Sequence, residues 1–292
     1  MKKIFLMLST ISLLTLASCS KRIPEITIEE PIEKLSECLV TSSDYITTSG
    51  EEINSYKRFF SYNAKQKVTR IDFHTLKSTE FATITYEKSK ITMNFELFYE
   101  GEKETEQLVY TLDAQGRITS YPDDYLQTVS NVTYNSDGYL SMVKKQYIDP
   151  ETNNATTETQ TFSYTAGNLT NVVFERTTTA GVVEKTLSTI SYGTDEPSND
   201  IVAGKVFDAI FHDDVNEILV SFFGKKSKNL ATKVVSVETH SENPVNTIES
   251  SEFNYEKDAK GNIISIKEKQ SAVSGSNSYE YNHEEKLTFE CK

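Results

Sequence analysis

Four tyrosines recur every 24 residues in this chain, and they constrain its fold more than any other feature. They are Tyr62, Tyr86, Tyr110 and Tyr134, and most of them stand before a short polar turn and a new apolar segment. Further copies follow at looser spacing: Tyr164, Tyr192, Tyr255 and Tyr281. A fixed period of this length indicates one supersecondary unit used repeatedly.

The residues around these tyrosines alternate as in β-strands with one buried face. Phe162 and Tyr164 share one parity, and the threonines at 157, 159 and 161 take the other. Period two with aromatic and β-branched residues predicts half-buried strands. The aliphatic or aromatic residue two positions earlier shares the face of the tyrosine in four copies: Ile84 with Tyr86, Leu108 with Tyr110, Val132 with Tyr134 and Phe162 with Tyr164. We therefore expect these four tyrosines to lie largely buried on one face of a sheet.

Polar turns with glycine follow several of the tyrosines, at residues 113–116, 135–138, 165–168 and 258–261. Glycine suits a reversal because it adopts positive φ without strain. An apolar pair spaced by three comes after each turn: Ile118 and Tyr121, Leu140 and Val143, Leu169 and Val172, Ile263 and Ile266. This spacing predicts either a β-bulge after the turn or a sheet that is apolar on both faces. Because the connections are short, neighbouring strands should be antiparallel.

The pattern changes between Tyr192 and Tyr255. Apolar residues at helical spacing predict two short helices, or one kinked helix, over about residues 200–223. Asp214 to Glu217 resembles a capping box, and Gly224 ends the run. Four apolar side chains form the stripe that we expect to cover the sheet: Phe207, Phe211, Ile218 and Phe222.

The first residues are typical of an export signal. Lys2 and Lys3 precede an apolar stretch from Ile4 to Leu16, which is too short for a membrane span. The run Leu16-Ala-Ser-Cys19 resembles the lipobox of bacterial lipoproteins, and this resemblance implies lipidation of Cys19. We therefore divide the chain into a lipoprotein signal peptide (1–18), a polar tether (19–38) and one repeat-built β domain (39–292).

Cys38 and Cys291 remain near opposite ends of the mature chain. An exported domain sits where disulfides persist, so the two can form a bridge, with a pair of free thiols as the alternative. The net charge of −13 argues against a nucleic-acid partner, since such proteins present a basic face.

Candidate catalytic and metal-binding residues are sparse. His212-Asp213-Asp214 places three ligand types in succession, which suits a helix junction better than a metal site. Asp123-Asp124 and Asn135 to Gly138 are interpreted as turns rather than calcium sites. His74, His240 and His283 are scattered, with no nucleophile motif or phosphate loop nearby. We expect no enzyme activity, no catalytic residue, no metal and no cofactor.

The repeated unit resembles the tyrosine–aspartate repeats of bacterial surface proteins, most closely at residues 113–118 and 258–263. Taken with the lipobox and the segment from Phe222 to Leu230, residues 40–290 resemble a family of Bacteroidetes lipoproteins of unknown function with a porin-like β fold. The turns after Tyr62 and Tyr86 lack the glycine, so these hairpins are expected to be built differently. Surface-exported lipoproteins of this type tend to carry an acidic cluster directly after the lipidated cysteine, and no such cluster follows Cys19. The sequence therefore favours neither the periplasmic face of the membrane nor the cell surface.

The sequence therefore predicts a mainly β fold. We expect an antiparallel meander of 14–16 strands, curled or barrel-like, with the 200–223 helices on its concave side or at its mouth. The expected function is a non-enzymatic binding or structural lipoprotein, anchored to the outer membrane by lipid, with an unknown protein or glycan partner. Two alternatives are a periplasmic carrier of a hydrophobic ligand and a glycan-binding surface module. A membrane-spanning porin is disfavoured because the strand faces opposite the aromatics carry Thr, Ser, Glu and Lys.

Overall fold

The computed structural model describes residues 38–291, apart from residues 51, 76–77, 100–101, 124–125, 180, 211–216 and 242–245. The predicted signal peptide, Cys19 and the tether as far as residue 37 lie outside the described residues.

The described chain forms a closed antiparallel barrel of sixteen strands. The strands are β1 (Cys38–Ser49), β2 (Glu52–Tyr62), β3 (Val68–His74), β4 (Thr79–Tyr86), β5 (Lys90–Tyr99), β6 (Glu102–Leu112), β7 (Ile118–Asp123), β8 (Thr128–Tyr134), β9 (Leu140–Ile148), β10 (Ala155–Thr165), β11 (Asn168–Thr178), β12 (Gly181–Tyr192), β13 (Ala231–His240), β14 (Thr247–Lys257), β15 (Ile263–Ser274) and β16 (Asn277–Cys291). Each strand pairs with its neighbours in sequence, and β1 closes the barrel against β16. The predicted mainly β, antiparallel meander is confirmed, and its sheet is fully closed.

The helical insert joins β12 to β13. Helix α1 spans Asp200–Ile210, and a 3₁₀ helix spans Glu217–Phe222. Asn199 caps α1, because its side-chain oxygen accepts a hydrogen bond from the Val202 amide at 3.0 Å. The two predicted short helices are confirmed, although the second is 3₁₀ rather than α. Neither described helix is long and apolar enough to cross a bilayer.

A β-bulge follows most of the turns that carry the repeat. In the β8–β9 hairpin, Thr133 pairs with Met142 but Tyr134 pairs with Leu140, so Ser141 is an extra residue. The extra residue turns Leu140 and Val143 to the same face, and both are buried. The same shift occurs after the turns at 113–116, 165–168 and 258–261. Of the two explanations for the spacing of three, the bulge is therefore correct.

Tyrosine and threonine hydroxyls satisfy the backbone at five β-bulges of the barrel, three of which follow a repeat turn. In β7, Thr119 is the extra residue, and its hydroxyl donates to the carbonyl of Thr111 on the partner strand at 3.2 Å. The preceding carbonyl, that of Ile118, accepts a hydrogen bond of 2.6 Å from the hydroxyl of Tyr134 on β8. The other four bulges have the same two hydrogen bonds, one from a tyrosine hydroxyl to the carbonyl before the extra residue and one from the extra threonine to the partner strand. The tyrosine, the residue with that carbonyl and the threonine are Tyr62, Val40 and Thr41; Tyr86, Val68 and Thr69; Tyr192, Leu169 and Thr170; and Tyr255, Ala231 and Thr232. Each repeat tyrosine of this set thus links its own strand to the preceding one.

The prediction that these tyrosines lie on the buried face of the sheet is confirmed. Tyr110 is buried, whereas Tyr86, Tyr134 and Tyr164 are half-buried and pack against the core. Tyr281 is different, because it lies early in β16 and precedes no turn of this type.

The two turns without glycine differ from each other. After Tyr62, Gln66 adopts the positive φ of 61° that Gly116 adopts at 78° in the glycine-containing turn. The hairpin therefore keeps its bulge, and the side chain of Asn63 accepts amide hydrogen bonds as Asp113 does. After Tyr86 the turn is shorter, and Tyr86 pairs with Ile91 without a bulge. The prediction of a different construction is thus correct for the second hairpin only.

Alkaline pH should unfold the barrel through these tyrosines. Burial raises the pKa of Tyr192 to about 12, and it raises the pKa values of Tyr62, Tyr86, Tyr134, Tyr164 and Tyr255 as well. An unfolded tyrosine loses its proton at pH ~10, so between that pH and about 12 the unfolded state binds fewer protons and gains in stability. We expect the contribution of these tyrosines to the free energy of unfolding to be constant below pH ~9, and the free energy of unfolding to fall steeply above pH ~10. Ionisation of all the tyrosines at pH ~10 without loss of the β-sheet circular dichroism signal would contradict this.

The insert closes one end of the barrel, which we call the closed end. This is the end where the repeat turns lie, and the opposite one is called the far end. Phe222 stacks on Tyr86 with ring centroids 5.6 Å apart, and Phe223 meets Tyr121 at 6.0 Å. The chain after the 3₁₀ helix then crosses two hairpin turns, where the amides of Lys225 and Lys228 bond to the carbonyls of Gly138 and Gly167 at 3.0 Å each.

The predicted apolar stripe of the insert is only partly correct. Ile218 is buried, whereas Phe207 and Phe222 are half-buried and pack against the core; Phe211 lies outside the described residues. The most deeply buried side chains of the insert are other ones: Ile201, Val202, Ile210, Leu219, Val220 and Phe223.

Replacing Gly224 should loosen this closure. A Cβ on Gly224 would lie 2.5 Å from the carbonyl oxygen of Gly138 and 2.9 Å from the ring of Tyr134. Gly116 is a matched control, because it also has positive φ but has open space around it. We expect Gly116→Ala to cost about 1–2 kcal/mol of backbone strain and Gly224→Ala a further ~1–3 kcal/mol of overpacking. Equal melting temperatures for the two variants would show that the insert shifts to accommodate the added Cβ without loss of stability.

A disulfide joins the first and last strands where the barrel closes. Cys38 and Cys291 face each other in the β1–β16 ladder, with Cα atoms 4.0 Å apart, and their sulfur atoms are bonded. The bond spans 253 residues of sequence and lies at the closed end.

Candidate functional site

The lumen of the barrel changes from apolar to polar along its axis. Sixteen strands enclose a space too wide for wall side chains to fill. Near the closed end the inward positions are apolar and meet the insert, as with Met93, Val172 and Phe223. Towards the far end the same strands place charged, hydroxyl and aromatic groups on the inner face. This polar section of the lumen is the candidate functional site.

A partly buried ionic network lines one side of it. Lys145 on β9 contacts Asp123 on β7 at 2.9 Å and Glu158 on β10 at 3.0 Å. Arg176 on β11 contacts Glu158 at 2.8 Å and Glu184 on β12 at 2.6 Å. Because cross-strand neighbours share a face, the network runs across the inner wall from β7 to β12.

Glu158 is the centre of this network. Burial alone would raise the pKa of its carboxyl, but a hydrogen bond from the Tyr147 hydroxyl and the charges of Arg176 and Lys145 hold that pKa below its ordinary value. Burial and the carboxylate together raise the pKa of Tyr147. The carboxylate is therefore ionised at neutral pH, and its oxygens are used within the wall.

A second buried cluster connects the insert to the seam of the barrel, which is where β1 pairs with β16. Glu285 on β16 pairs with Arg58 on β2 and, at 2.9 Å, with Lys205 on α1. Arg58 also donates to the hydroxyl of Ser43 on β1 at 2.9 Å. The three charged side chains are at most 10 % exposed. The cluster fixes α1 against the seam at the boundary between the apolar and polar sections.

Beyond this cluster lie four rings that we call the ring wall: Tyr45, Tyr56, Tyr281 and His283. Ring centroids are 4.7 Å apart for Tyr45 and Tyr56, 5.7 Å for Tyr45 and His283, and 6.3 Å for Tyr281 and His283. Successive ring planes differ by 25°, 25° and 15°, so the rings form an offset, nearly parallel series. All four are half-buried.

Hydrogen bonds orient the histidine of the ring wall. Thr47 Oγ1 lies 2.9 Å from Nδ1 of His283, and Gln270 Oε1 lies 3.3 Å from Nε2. An amide oxygen only accepts, so Nε2 of His283 donates to Gln270.

The structure brings only some of the predicted site residues together. Cys38 and Cys291 are bonded, whereas Cys19 and the cluster from His212 to Asp214 lie outside the described residues. Asp123 accepts the turn amide of Leu126 at 2.9 Å and also joins the ionic network. Residues 135–138 form the hairpin turn that the sequence predicts, with the Asn135 side chain accepting two turn amides.

The charged lumen groups and the ring wall were missed by the sequence reasoning. A signal was present for part of the network, because Glu158 and Gln160 share the inward parity of Phe162 and Tyr164 on β10. The partners of Glu158 come from other strands, and no local pattern announces them.

Removing the central carboxylate should destabilise the barrel. We expect Glu158→Gln to cost ~1–3 kcal/mol, because Lys145 and Arg176 would each lose one of their two carboxylate partners. Glu175→Gln is the control, since Glu175 forms an exposed pair with Lys185 on the outer face and should cost less than ~1 kcal/mol. Urea unfolding measures both values, and equal losses would contradict the assignment. The lowered pKa adds a second expectation: this contribution is present above the ordinary glutamate pKa and is lost as the pH falls below it.

Comparison with solved structures shows the fold. A porin-like protein from Bacteroides uniformis aligns with 86% of this chain and 98% of its own, with a TM-score of 0.58 at 13% sequence identity. A porin-like protein from Bacteroides vulgatus aligns with 85% of this chain and 97% of its own, with a TM-score of 0.51 at 14% identity. No family model and no curated protein matches the chain. The chain therefore has a porin-like β fold, as the sequence resemblance implies.

Proposed function

We propose that this protein is a non-enzymatic binding lipoprotein of the outer membrane, which takes its ligand into the polar lumen from the far end. The outer face of the barrel is the observation that carries the proposal. Lys233 and Glu252 pair there at 2.7 Å, on adjacent strands between inward-facing buried residues.

Further outward pairs make this face unlike a lipid-facing surface. Lys185 and Glu175 are 2.8 Å apart, and Lys269 and Glu280 are 3.0 Å apart. A lysine at the bilayer midplane costs ~2–4 kcal/mol on a barrel exterior, and spanning barrels carry an apolar band there. A barrel that stays in water needs a separate anchor to remain at a membrane.

Lipidation of Cys19 would supply that anchor. The signal-like residues 1–18 and the run Leu16-Ala-Ser-Cys19 support it. Acyl chains hold a protein at the bilayer through ~0.8 kcal/mol per buried CH₂. Strand β1 begins at the closed end, so a tether ahead of Cys38 would reach the barrel there and leave the far end free. The same arrangement fits the periplasmic face and the cell surface.

The two alternative functions find less support. A hydrophobic carrier needs an apolar cavity, but the insert occupies the apolar section, and a cavity of about 20 Å³ beside Val206 and Tyr255 holds no more than a water. A glycan platform of repeat tyrosines needs exposed rings in a row. Instead, Tyr62, Tyr86 and Tyr134 are half-buried, and their hydroxyls are bonded to the backbone.

Changing the anchor tests the proposal. In the variant, an ordinary cleavable export signal replaces residues 1–18 and Cys19→Ala removes the lipidation site. We expect the variant to move from the membrane fraction to the soluble fraction, because the lysine–glutamate pairs of the outer face disfavour burial in a bilayer. Cys291→Ala in the parent chain is the control, since it removes a cysteine but keeps Cys19. If the anchorless barrel resists alkaline carbonate extraction from the membrane, it spans the bilayer and the proposal fails.

A further inference from the structure

We propose that the ring wall binds the sugar rings of a neutral oligosaccharide that enters the lumen from the far end. This inference rests on the proposed function, because it needs the polar lumen to be the binding space. It differs from a platform of repeat tyrosines, since the rings involved belong to the seam strands β16, β1 and β2.

The ring wall continues towards the far end. Tyr279, Tyr281 and His283 occupy alternate positions of β16, and an unbroken ladder with β15 keeps all three on the inner face. Residues two apart on a strand are about 6.8 Å apart, so the three rings form a row along the barrel axis. Tyr279 is 54 % exposed and the next two rings are half-buried. The row leads from solvent to the buried Glu285, and an extended chain of sugar rings has this shape.

The chemistry of the wall suits a ligand with both apolar and hydroxyl faces. The face of an aromatic ring carries partial negative charge and attracts polarised C–H groups, which sugar rings present on one side. Hydrogen-bonding side chains flank the rings on the same inner face: Asn54 on β2, Glu268 and Gln270 on β15. A wholly apolar ligand would displace water from the side chains of Asn54 and Glu268 and offer no hydrogen bond in return, at a cost of several kcal/mol.

Local charge favours a neutral ligand. Two cations and two carboxylates surround the ring wall: Arg58, Lys205, Glu268 and Glu285. The protein's own cations already lie over two of the rings, with Arg58 at 5.9 Å from the centroid of Tyr56 and Lys205 at 5.6 Å from that of Tyr45. Among the described residues these four charges sum to zero and do not attract an anion, and the two cations use the cation–π capacity of both rings.

The absence of tryptophan provides a direct readout. The full mature chain, purified in detergent, is titrated with cellohexaose, maltohexaose and mannohexaose, and with chitosan and polygalacturonate hexamers as cationic and anionic probes. Tyrosine fluorescence and calorimetry report binding. We expect at least one neutral hexasaccharide to bind and both Tyr56→Ala and Tyr281→Ala to weaken it by about tenfold or more. Phe98→Ala should leave the affinity unchanged, because Phe98 stacks on Phe81 on the outer face.

Two results would overturn the inference. They are binding of none of the neutral sugars, whether or not a charged probe binds, and equal affinity of the parent and Tyr281→Ala for a neutral sugar. Melting curves of each variant identify any loss that comes from unfolding, and the milder Tyr281→Phe, which keeps the ring, should bind like the parent. The anchor experiment above does not depend on any sugar, so failure here and failure of the lipoprotein proposal are distinguished.

Discussion

The width of a sixteen-stranded barrel governs the rest of this structure. Closure removes every strand edge, but it leaves a lumen that wall side chains cannot fill. The chain meets this constraint in two ways along one axis. At the closed end a helical insert with its own apolar side chains fills the space, and towards the far end the inner wall is polar and compatible with water. Lys205, which connects α1 to Glu285, marks the boundary between the two solutions.

The repeated unit both bends the strands and links each one to its neighbour. A bulge bends a strand but leaves backbone groups out of the ladder, which costs stability if they are buried. Here the hydroxyls of Thr119 and Tyr134 donate hydrogen bonds to backbone carbonyls at the bulge, and four other bulges have equivalent bonds. Three of the tyrosines that make these bonds, Tyr62, Tyr86 and Tyr134, belong to the series with the 24-residue period. A tyrosine is needed because phenylalanine would pack alike but donate nothing.

Local chemistry explains which features the sequence could predict. Alternation around Phe162, the turn at Asp113 and the spacing of Ile118 and Tyr121 depend on neighbours within a few residues, so strands, turns and bulges were predictable. The threonines of the five bulges that bond in this way stand in the sequence without a distinct local pattern. Barrel closure and the ring wall depend on residues such as Tyr45 and His283, which lie 238 positions apart and meet only when β1 pairs with β16. Which residues of β1 and β16 face each other depends on the number of strands in the barrel, and the sequence alone does not give that number.

The position of the disulfide has a mechanical consequence. A pulling force transmitted through the residues ahead of Cys38 would act first on the start of β1. Hydrogen bonds between two antiparallel strands loaded at one end break one after another, as in unzipping. The covalent bond between Cys38 and Cys291 stands at the first rung of that ladder, so the load passes directly to β16 and the seam hydrogen bonds are spared. In a reducing environment the same tension would fall on those hydrogen bonds one by one.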